Sequence, residues 1–525
     1  MAVVVVVAVS GCASLRRWWH NGWKVGPEYC PPEAPVAETW LDRNAPSLRT
    51  AEPDLWQWWT QLGDPVLDQL VQRVREQNIP LQIAAWRIAE ARALRGIAAG
   101  NLFPQKQQAL AAYSRNRASE NAYPFNIFLD AFPFPLYYNN WIAGFDMAWE
   151  LDLWGKVRRG IEAADASWQA SIVDYNALLV SMQAEVAAAY VQLRTLQERL
   201  ALARKHVELQ QETLRLARDR FAAGVVSEID VRQASAELAV LESAIPTLEE
   251  ARRKVENALC FLLGSPPGSL RELLEQPAPP PTPPPELVVG IPADLLRRRP
   301  DVQKAEWLAR AQCARIGVAE ADFYPQLAIT GAISVQAEEF ANLFDGIHGV
   351  AGSIGPAFQW KILHYGRLKN AVRAQEARLQ QALYNYQNAV LAANREAEDA
   401  IVAYLREQQR MRSLQQAVHE AERALQLGLK LYQAGVIDYQ RVLDALRAVV
   451  AQQDALADSR GKVVLNLIAV YKALGGGWEN AHSEESVPES SPSQESERLW
   501  PEPVAPQTET EPAPAPVPLA RAKAS

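Results

Sequence analysis

The strongest constraint in this chain is that it writes one long stretch twice: Gly155 to Leu263 recurs as Gly366 to Leu474. In the first copy Trp154-Gly155-Lys156 opens a helical pattern, Phe221-Ala222-Ala223-Gly224 interrupts it and Phe261-Leu262-Leu263-Gly264 closes it. In the second copy Tyr365-Gly366-Arg367, Tyr432-Gln433-Ala434-Gly435 and Ala473-Leu474-Gly475 take those places, each displaced by 211 positions. An earlier landmark, Phe103-Pro104-Gln105, returns as Tyr324-Pro325-Gln326 at a displacement of 221, so the second half is ten residues shorter between landmarks. Such self-similarity marks one structural unit used twice, with one variable loop.

The duplicated pattern has a definite period. Trp168, Ile172, Tyr175, Leu179, Met182, Val186, Ala189, Leu193, Leu196, Leu200, Ala203 and Val207 step by alternating fours and threes. The equivalent positions from Leu379 to Val418 stay apolar in eleven of twelve cases, the exception being Glu407. A sustained 3.5-residue repeat is a coiled-coil seam. About 65 residues of helix at ~1.5 Å each reach roughly 100 Å, longer than a compact domain needs. Gly224 and Gly435 break each rod so that it turns back, giving helical hairpins over 155–263 and 366–474. Pro246 lies inside the return helix of the first and is expected to bend it.

Between the aromatic-Pro landmarks and the rods, the period changes to two. Leu327, Ile329, Gly331, Ile333 and Val335 alternate with Gln326, Ala328, Thr330, Ala332, Ser334 and Gln336. Ile354, Pro356, Phe358 and Trp360 alternate with Ser353, Gly355, Ala357 and Gln359. In the first copy Trp141, Phe145, Met147, Trp149 and Leu151 oppose Gly144, Asp146, Glu150 and Asp152, and the alternation after Pro104 is the weakest. Strands are expected at 105–116, 141–153, 325–336 and 351–361. One greasy and one small-polar face suits a transmembrane β-barrel with a wet lumen, and also a strand pair facing a single sandwich core. A lone hairpin pair cannot close a barrel, because its edges would leave backbone groups unsatisfied in lipid. Pooling strands among several chains answers that need and the seam's need for neighbours.

Composition narrows the rest. The formal charge of −8 is concentrated after Trp478, where nine Glu face Arg498, Arg521 and Lys523. The body is nearly neutral and lacks the basic stripe of a nucleic-acid binder. The four cysteines show neither metal spacing nor a disulfide framework. No nucleophile elbow or phosphate loop occurs, so the chain reads as no enzyme and as needing no cofactor. No apolar run is long enough for a membrane-spanning helix.

The chain therefore divides as follows. Residues 1–11 read as a signal peptide, its apolar run Ala2–Val9 leading into Val9-Ser10-Gly11-Cys12, which resembles a bacterial lipobox with Cys12 as the lipidated residue. An ordinary secretory signal is the alternative. No Lys or Arg precedes the run, so the expectation is that the given start falls inside the leader. Ala13 follows Cys12 where an Asp would favour inner-membrane retention. Residues 12–60 form an extended, Pro-bound segment, and 61–276 the first repeat. Residues 277–292 are a Pro-rich linker, 293–478 the second repeat and 479–525 a disordered acidic tail. The loop from Arg117 to Asn140, with Phe125, Phe128, Phe132 and Phe134, is expected to be extracellular. Three arginines at 297–299 are expected to be salt-bridged surface at a helix start.

In this order the pieces resemble the TolC-like outer-membrane efflux channels, in the lipoprotein (OprM/NodT-like) branch that works with resistance-nodulation-division pumps. The matching residues are Val25-Gly26-Pro27-Glu28-Tyr29, Trp58-Trp59 with Asp64-Pro65, Asn78 before an Ala/Arg-rich helix and the two aromatic-Pro-Gln starts. Leu151-Asp152-Leu153-Trp154-Gly155, Arg298-Arg299-Pro300-Asp301 and Lys472-Ala473-Leu474-Gly475-Gly476-Gly477-Trp478 complete them, over roughly 12–478. The resemblance implies an α+β membrane protein. Its homotrimer pools four strands per chain into a twelve-stranded barrel, continued by a periplasmic coiled-coil α-barrel with a mixed equatorial region. It implies a passive conduit, conducting small molecules from an inner-membrane pump and a periplasmic adaptor to the outside, with a covalent lipid on Cys12. It further implies an aperture ring at Asp444, with Gln440 where relatives carry a bulky apolar residue, and hence a polar closure. The first-copy counterparts are Ile229 and Gln233. The tips Gly224-Val225-Val226-Ser227 and Gly435-Val436-Ile437-Asp438 resemble the adaptor-docking surface. A conduit for heavy metals or secreted proteins, and a non-conducting envelope scaffold, are the alternative readings.

Overall fold

The structure is a computed structural model that describes residues 18–32, 39–51, 55–119, 135–274, 276–284, 287–290 and 297–478. The chain divides into Met1–Glu479 and Asn480–Ser525. The second unit, with the expected acidic tail, lies outside the described residues, as do Cys12, the signal segment and the loop residues 120–134.

Strand β1 is Leu48–Thr50. Helix α1 (Pro65–Gln77) starts where Asp64 accepts from the N–H groups of Val66 and Leu67 at 2.9 and 3.3 Å, with Pro65 in the first turn. Asn78 ends it and caps α2 (Ile79–Gly100) by accepting from Leu81 N–H at 3.0 Å. Strands β2 (Lys106–Arg117) and β3 (Tyr137–Leu151) follow, then helices α3 (Lys156–Ala222) and α4 (Glu228–Leu262). After a single turn at Arg271–Leu274 come β4 (Leu287–Val289) and α5 (Pro300–Ala321). Strands β5 (Gln326–Ala337) and β6 (Val350–Gln359) lead to α6 (Arg367–Gln433) and α7 (Tyr439–Ala473).

Helices α3 and α6 each have 67 residues, and α4 and α7 each have 35. From Leu179 onward the seam read from the sequence is packed: Leu179, Val186, Leu193, Leu196, Leu200 and Val207 of α3 are buried, as are Tyr386, Val390, Ala393, Ala397, Ala400, Tyr404 and Val418 of α6. Before it, Trp168, Ile172 and Tyr175 are only half-buried, and Ala163, Ala166, Ala170 and Val173 are the buried positions. Glu407, the one polar seam position, is satisfied by Ser459 Oγ at 2.6 Å and Arg410 at 3.1 Å. Helix α4 runs on past Pro246 without a break.

Three separate cores hold the described helices, the smallest joining Val302 of α5 to Tyr386, Val390 and Ala393 of α6. One gathers Trp58, Trp59, Leu67, Leu70, Tyr190, Leu259, Tyr404 and Tyr471 where α1 packs on the rods, with Trp58 stacked on Tyr471 at 5.3 Å. Another gathers Leu214, Ala217, Ala234, Leu425, Tyr432, Tyr439, Val442 and Leu446 beside the hairpin turns.

The end of each return helix is closed by a side chain from the helix start in its own half. Asn78 Nδ2 donates to Leu262 O at 2.7 Å, and Arg299 Nη1 donates to Ala473 O at 2.6 Å. Arg299 also pairs with Asp301 and Glu396 at 2.8 and 2.7 Å. It is buried, so the expectation of a surface run corrects to exposed Arg297 and Arg298 beside a structural Arg299. Its exposure is low because the last carbonyls of α7 need a donor there.

The Pro-rich connection is likewise more than a linker. Its end is β4, which pairs in parallel with β1 through Leu48↔Leu287 and Thr50↔Val289, burying Leu287 and Val289. Three-residue strands carry too few side chains to show a period. The Val-Gly-Pro motif also acquires a reason: a Cβ on Gly26 (φ +90°) would lie 2.4 Å from Gly317 Cα, so two glycines let the N-terminal segment press on α5.

Candidate functional site

One antiparallel sheet has the order β2-β3-β5-β6. Its register carries the two-faced pattern from strand to strand. Phe145 pairs with Ala109 and Ile333, Trp149 with Ile329, Ile329 with Pro356 and Leu327 with Phe358, all on one face. On the other, Asp146 pairs with Gln108 and Ala332, Glu150 with Ala328 and Ala332 with Ser353. Asp146 accepts from Lys106 Nζ at 2.6 Å and Gln108 Nε2 at 3.2 Å, so its charge is met on the polar side. The apolar face is uncovered: Ile354 is 79% exposed and Phe358 68%. A soluble protein would rarely present such a continuous patch. Strands β2 and β6 lie at the ends of the order, each with one edge unpaired by the described residues.

Aromatic rings bound this face. Tyr113, Trp141 and Phe340 cluster at one end, at 4.4 and 5.0 Å between centroids. At the other, Trp149 Nε1 donates to Leu102 O and Trp360 Nε1 to Phe323 O, both at 3.0 Å.

The hairpin turns are alike. Gly224 (φ +71°) donates to Phe221 O at 2.9 Å and Val225 N–H to Arg220 O at 2.9 Å; Gly435 (φ +76°) donates to Tyr432 O at 3.0 Å and Val436 N–H to Leu431 O at 2.9 Å. These are Schellman closures, for which the left-handed glycine is required. Val225 and Val436 are exposed, while Val226 and Ile437 pack on the tip core. Ser227 and Asp438 sit at the starts of α4 and α7 without capping them through their side chains.

Polar ties join the two turns. The Arg220 guanidinium lies 4.6 Å from the Tyr432 ring centroid and donates to Tyr432 O. Gln210 Nε2 donates to Ala234 O at 2.8 Å and Tyr439 Oη at 3.1 Å. Arg447 grips the buried Glu237 through Nε at 2.9 Å and Nη2 at 2.6 Å. Burial, then the nearby Asp438, raises the Asp230 carboxyl above its ordinary range. Further along the rods, Arg199 forks onto Asp454 at 2.7 and 2.9 Å. Asp444 is exposed on α7 and accepts from Gln440 Nε2, one turn earlier, at 2.9 Å.

Gln440 and Asp444 are thus together, and each tip tetrapeptide is one turn. The grip of Arg447 on Glu237 and the seat of Arg220 on Tyr432 were not legible, since each joins residues of different helices. Gln210 had a signal: the seam continued three residues past Val207 lands on a polar residue. Among the described residues no group of side chains could hold a metal ion. None of the described helices is long and apolar enough to cross a membrane.

Comparison with known proteins decides the class. The family model "Outer membrane efflux protein" matches residues 70–265 and 291–476. The chain belongs to this family. It is an outer-membrane efflux channel, not an enzyme. The pyoverdine export outer membrane protein OpmQ of Pseudomonas aeruginosa is 30% identical over 432 residues, covering 82% of this chain and 90% of that protein. The toluene efflux pump outer membrane protein TtgF of Pseudomonas putida is 28% identical over 499 residues, covering 92% and 98%. Among solved structures, the outer-membrane channel OprN superposes with a TM-score of 0.80 at 32% identity, over 87% of this chain and all of that one.

Proposed function

We propose that three copies of this chain assemble into one conduit across the outer membrane. The observation that carries this is the four-stranded sheet, wet on one face, greasy on the other and open at both edges. Edges in hydrocarbon must pair, and three sheets of four strands close a twelve-stranded barrel. The matched lengths of α3 with α6 and α4 with α7 support descent from a tandem duplication, and six hairpins continue the barrel as a tube. A lipid on Cys12 anchors each chain.

In this reading the tube receives cargo from a periplasmic adaptor and a resistance-nodulation-division pump. The turns Gly224–Ser227 and Gly435–Asp438 are the adaptor's contact. Three Asp444–Gln440 pairs ring the aperture, and the carboxylates favour cations. Relatives named for pyoverdine and for toluene are near-equal in identity, which supports small molecules as cargo and no narrower class.

Planar-bilayer recording of the purified trimer tests the reading. Discrete conductance with cation preference is expected, and Asp444→Asn should move the reversal potential in a salt gradient toward zero. Absence of conductance from intact trimer returns the chain to the scaffold reading.

A further inference from the structure

At the lower rim of the sheet lies a feature that conduction does not use. Trp18–His20 make a single helical turn, closed by Trp23 N–H donating to Trp18 O at 2.9 Å. Gly22 and Trp23 both take left-handed backbone angles, φ 60° and 64°. Glycine adopts that region freely; tryptophan is strained there and stays only if its surroundings hold it. Arg158 holds it, donating through Nη1 to Gly22 O at 2.6 Å and through Nη2 to Trp23 O at 2.8 Å. Asp152 fixes that guanidinium from the sheet side at 3.1 Å.

This strained knot gathers three indoles, with Trp18–Trp23 at 5.2 Å and Trp19–Trp23 at 5.6 Å. Two of them are turned outward: Trp19 is 63% exposed and Trp23 45%. Strain spent on displaying apolar rings gains nothing in water.

The knot is bolted to the rim. Trp18 Nε1 donates to Leu153 O at 3.1 Å, and its ring meets that of Trp154 at 5.4 Å. Trp154 stacks on Tyr324 at 4.5 Å and donates to Pro325 O at 2.7 Å. Trp149 and Trp360 occupy the same end of the sheet, so the knot extends an existing aromatic girdle. In sequence, Arg16-Arg17 immediately precede it, and Cys12 lies six residues before Trp18. Indoles level with a barrel rim and cationic residues next to them are the chemistry of a headgroup layer.

We propose that the segment Trp18–Trp23 is a second, protein-borne membrane anchor, seating Trp19 and Trp23 among phospholipid headgroups of the periplasmic leaflet. The inference rests on the sheet being the membrane-spanning part. The anchor matters most before the barrel closes, when a lone chain must be held at the leaflet in the right orientation. A neighbouring protomer seated on the same rings is the competing occupant.

Site-directed spin labelling of the full-length channel tests it. The background Cys12→Ala/Cys30→Ser removes the acyl chain and the exposed thiol, and Trp19→Cys takes the label. Vesicles are phosphatidylethanolamine with phosphatidylglycerol, and collision with oxygen is compared with collision with a water-soluble nickel complex. Gln211→Cys, exposed on α3, is the water reference, and Ile354→Cys on the apolar face is the lipid reference. The expected oxygen-to-nickel ratio at position 19 is several-fold above that at 211 and below that at 354. Adding Trp23→Ser should move it toward the water value. A ratio equal to that at 211, with 354 still lipid-like, overturns the anchor and leaves the barrel standing. A label at 19 that neither reagent reaches overturns it in favour of a protein neighbour. A water-like label at 354 overturns barrel and anchor together.

Discussion

Single side chains decide how the two hairpins stay together. Arg447 closes on Glu237, which is buried, whereas Arg447 itself is half in water. The pair fixes α7 against α4, and removing the arginine leaves a buried carboxylate without its partner. Arg447→Ala is expected to lower the thermal midpoint and to raise channel open probability in bilayer recordings; an unchanged open probability would separate this pair from gating. His206 makes a second case. It is buried on α3, its Nε2 has no partner among the described residues, and burial, followed by the neighbouring Lys205, holds its pKa below the ordinary 6.5. The unfolded chain then binds the proton first, so stability present above pH 6.5 is lost as the pH falls through that value toward the folded one. From pH 7.5 down to 5, the thermal midpoint of wild type should fall further than that of His206→Leu. Parallel curves would remove His206 from the account.

At the scale of elements, a strand's face is the decisive property. Ile354 and Ser353 are neighbours on β6, pointing to opposite sides of the sheet. Arginine on the lipid side of a barrel costs roughly 2–4 kcal/mol at mid-bilayer, and on the lumen side it only alters selectivity. Ile354→Arg is therefore expected to reduce the folded, heat-modifiable fraction in vesicles, while Ser353→Arg folds normally and lowers cation preference. Equal effects from both would mean the sheet does not separate lipid from water. The rods obey a different rule. Their stability comes from a seam of modest residues over a great length, with ties such as Arg199–Asp454 set along it.

For the whole molecule, the open edges of β2 and β6 and the uncovered apolar face ask for copies of the same chain. Native mass spectrometry from detergent is expected to give three chains, each of 58.2 kDa less the leader 1–11 and plus its acyl groups. A stable monomer would remove the barrel and, with it, the aperture ring at Asp444. Long helices joined by tight turns place the Asp444 level some 100 Å of helix from the sheet, at ~1.5 Å per residue.

The regular features were legible along the chain. The 3.5-residue seam, the alternation of β3, β5 and β6, the glycine at each turn and the 211-residue displacement all survive as regularities along the chain, because periodic burial writes a periodic pattern. The features that emerged on folding are aperiodic. The β1–β4 pairing, the burial of Arg299 over the end of α7, the grip of Arg447 on Glu237, the seat of Arg220 on Tyr432 and the knot of Trp18, Trp19 and Trp23 each join residues with no fixed spacing. A contact between distant segments leaves no period in either one, so it could be read only after the helices and strands had been brought together.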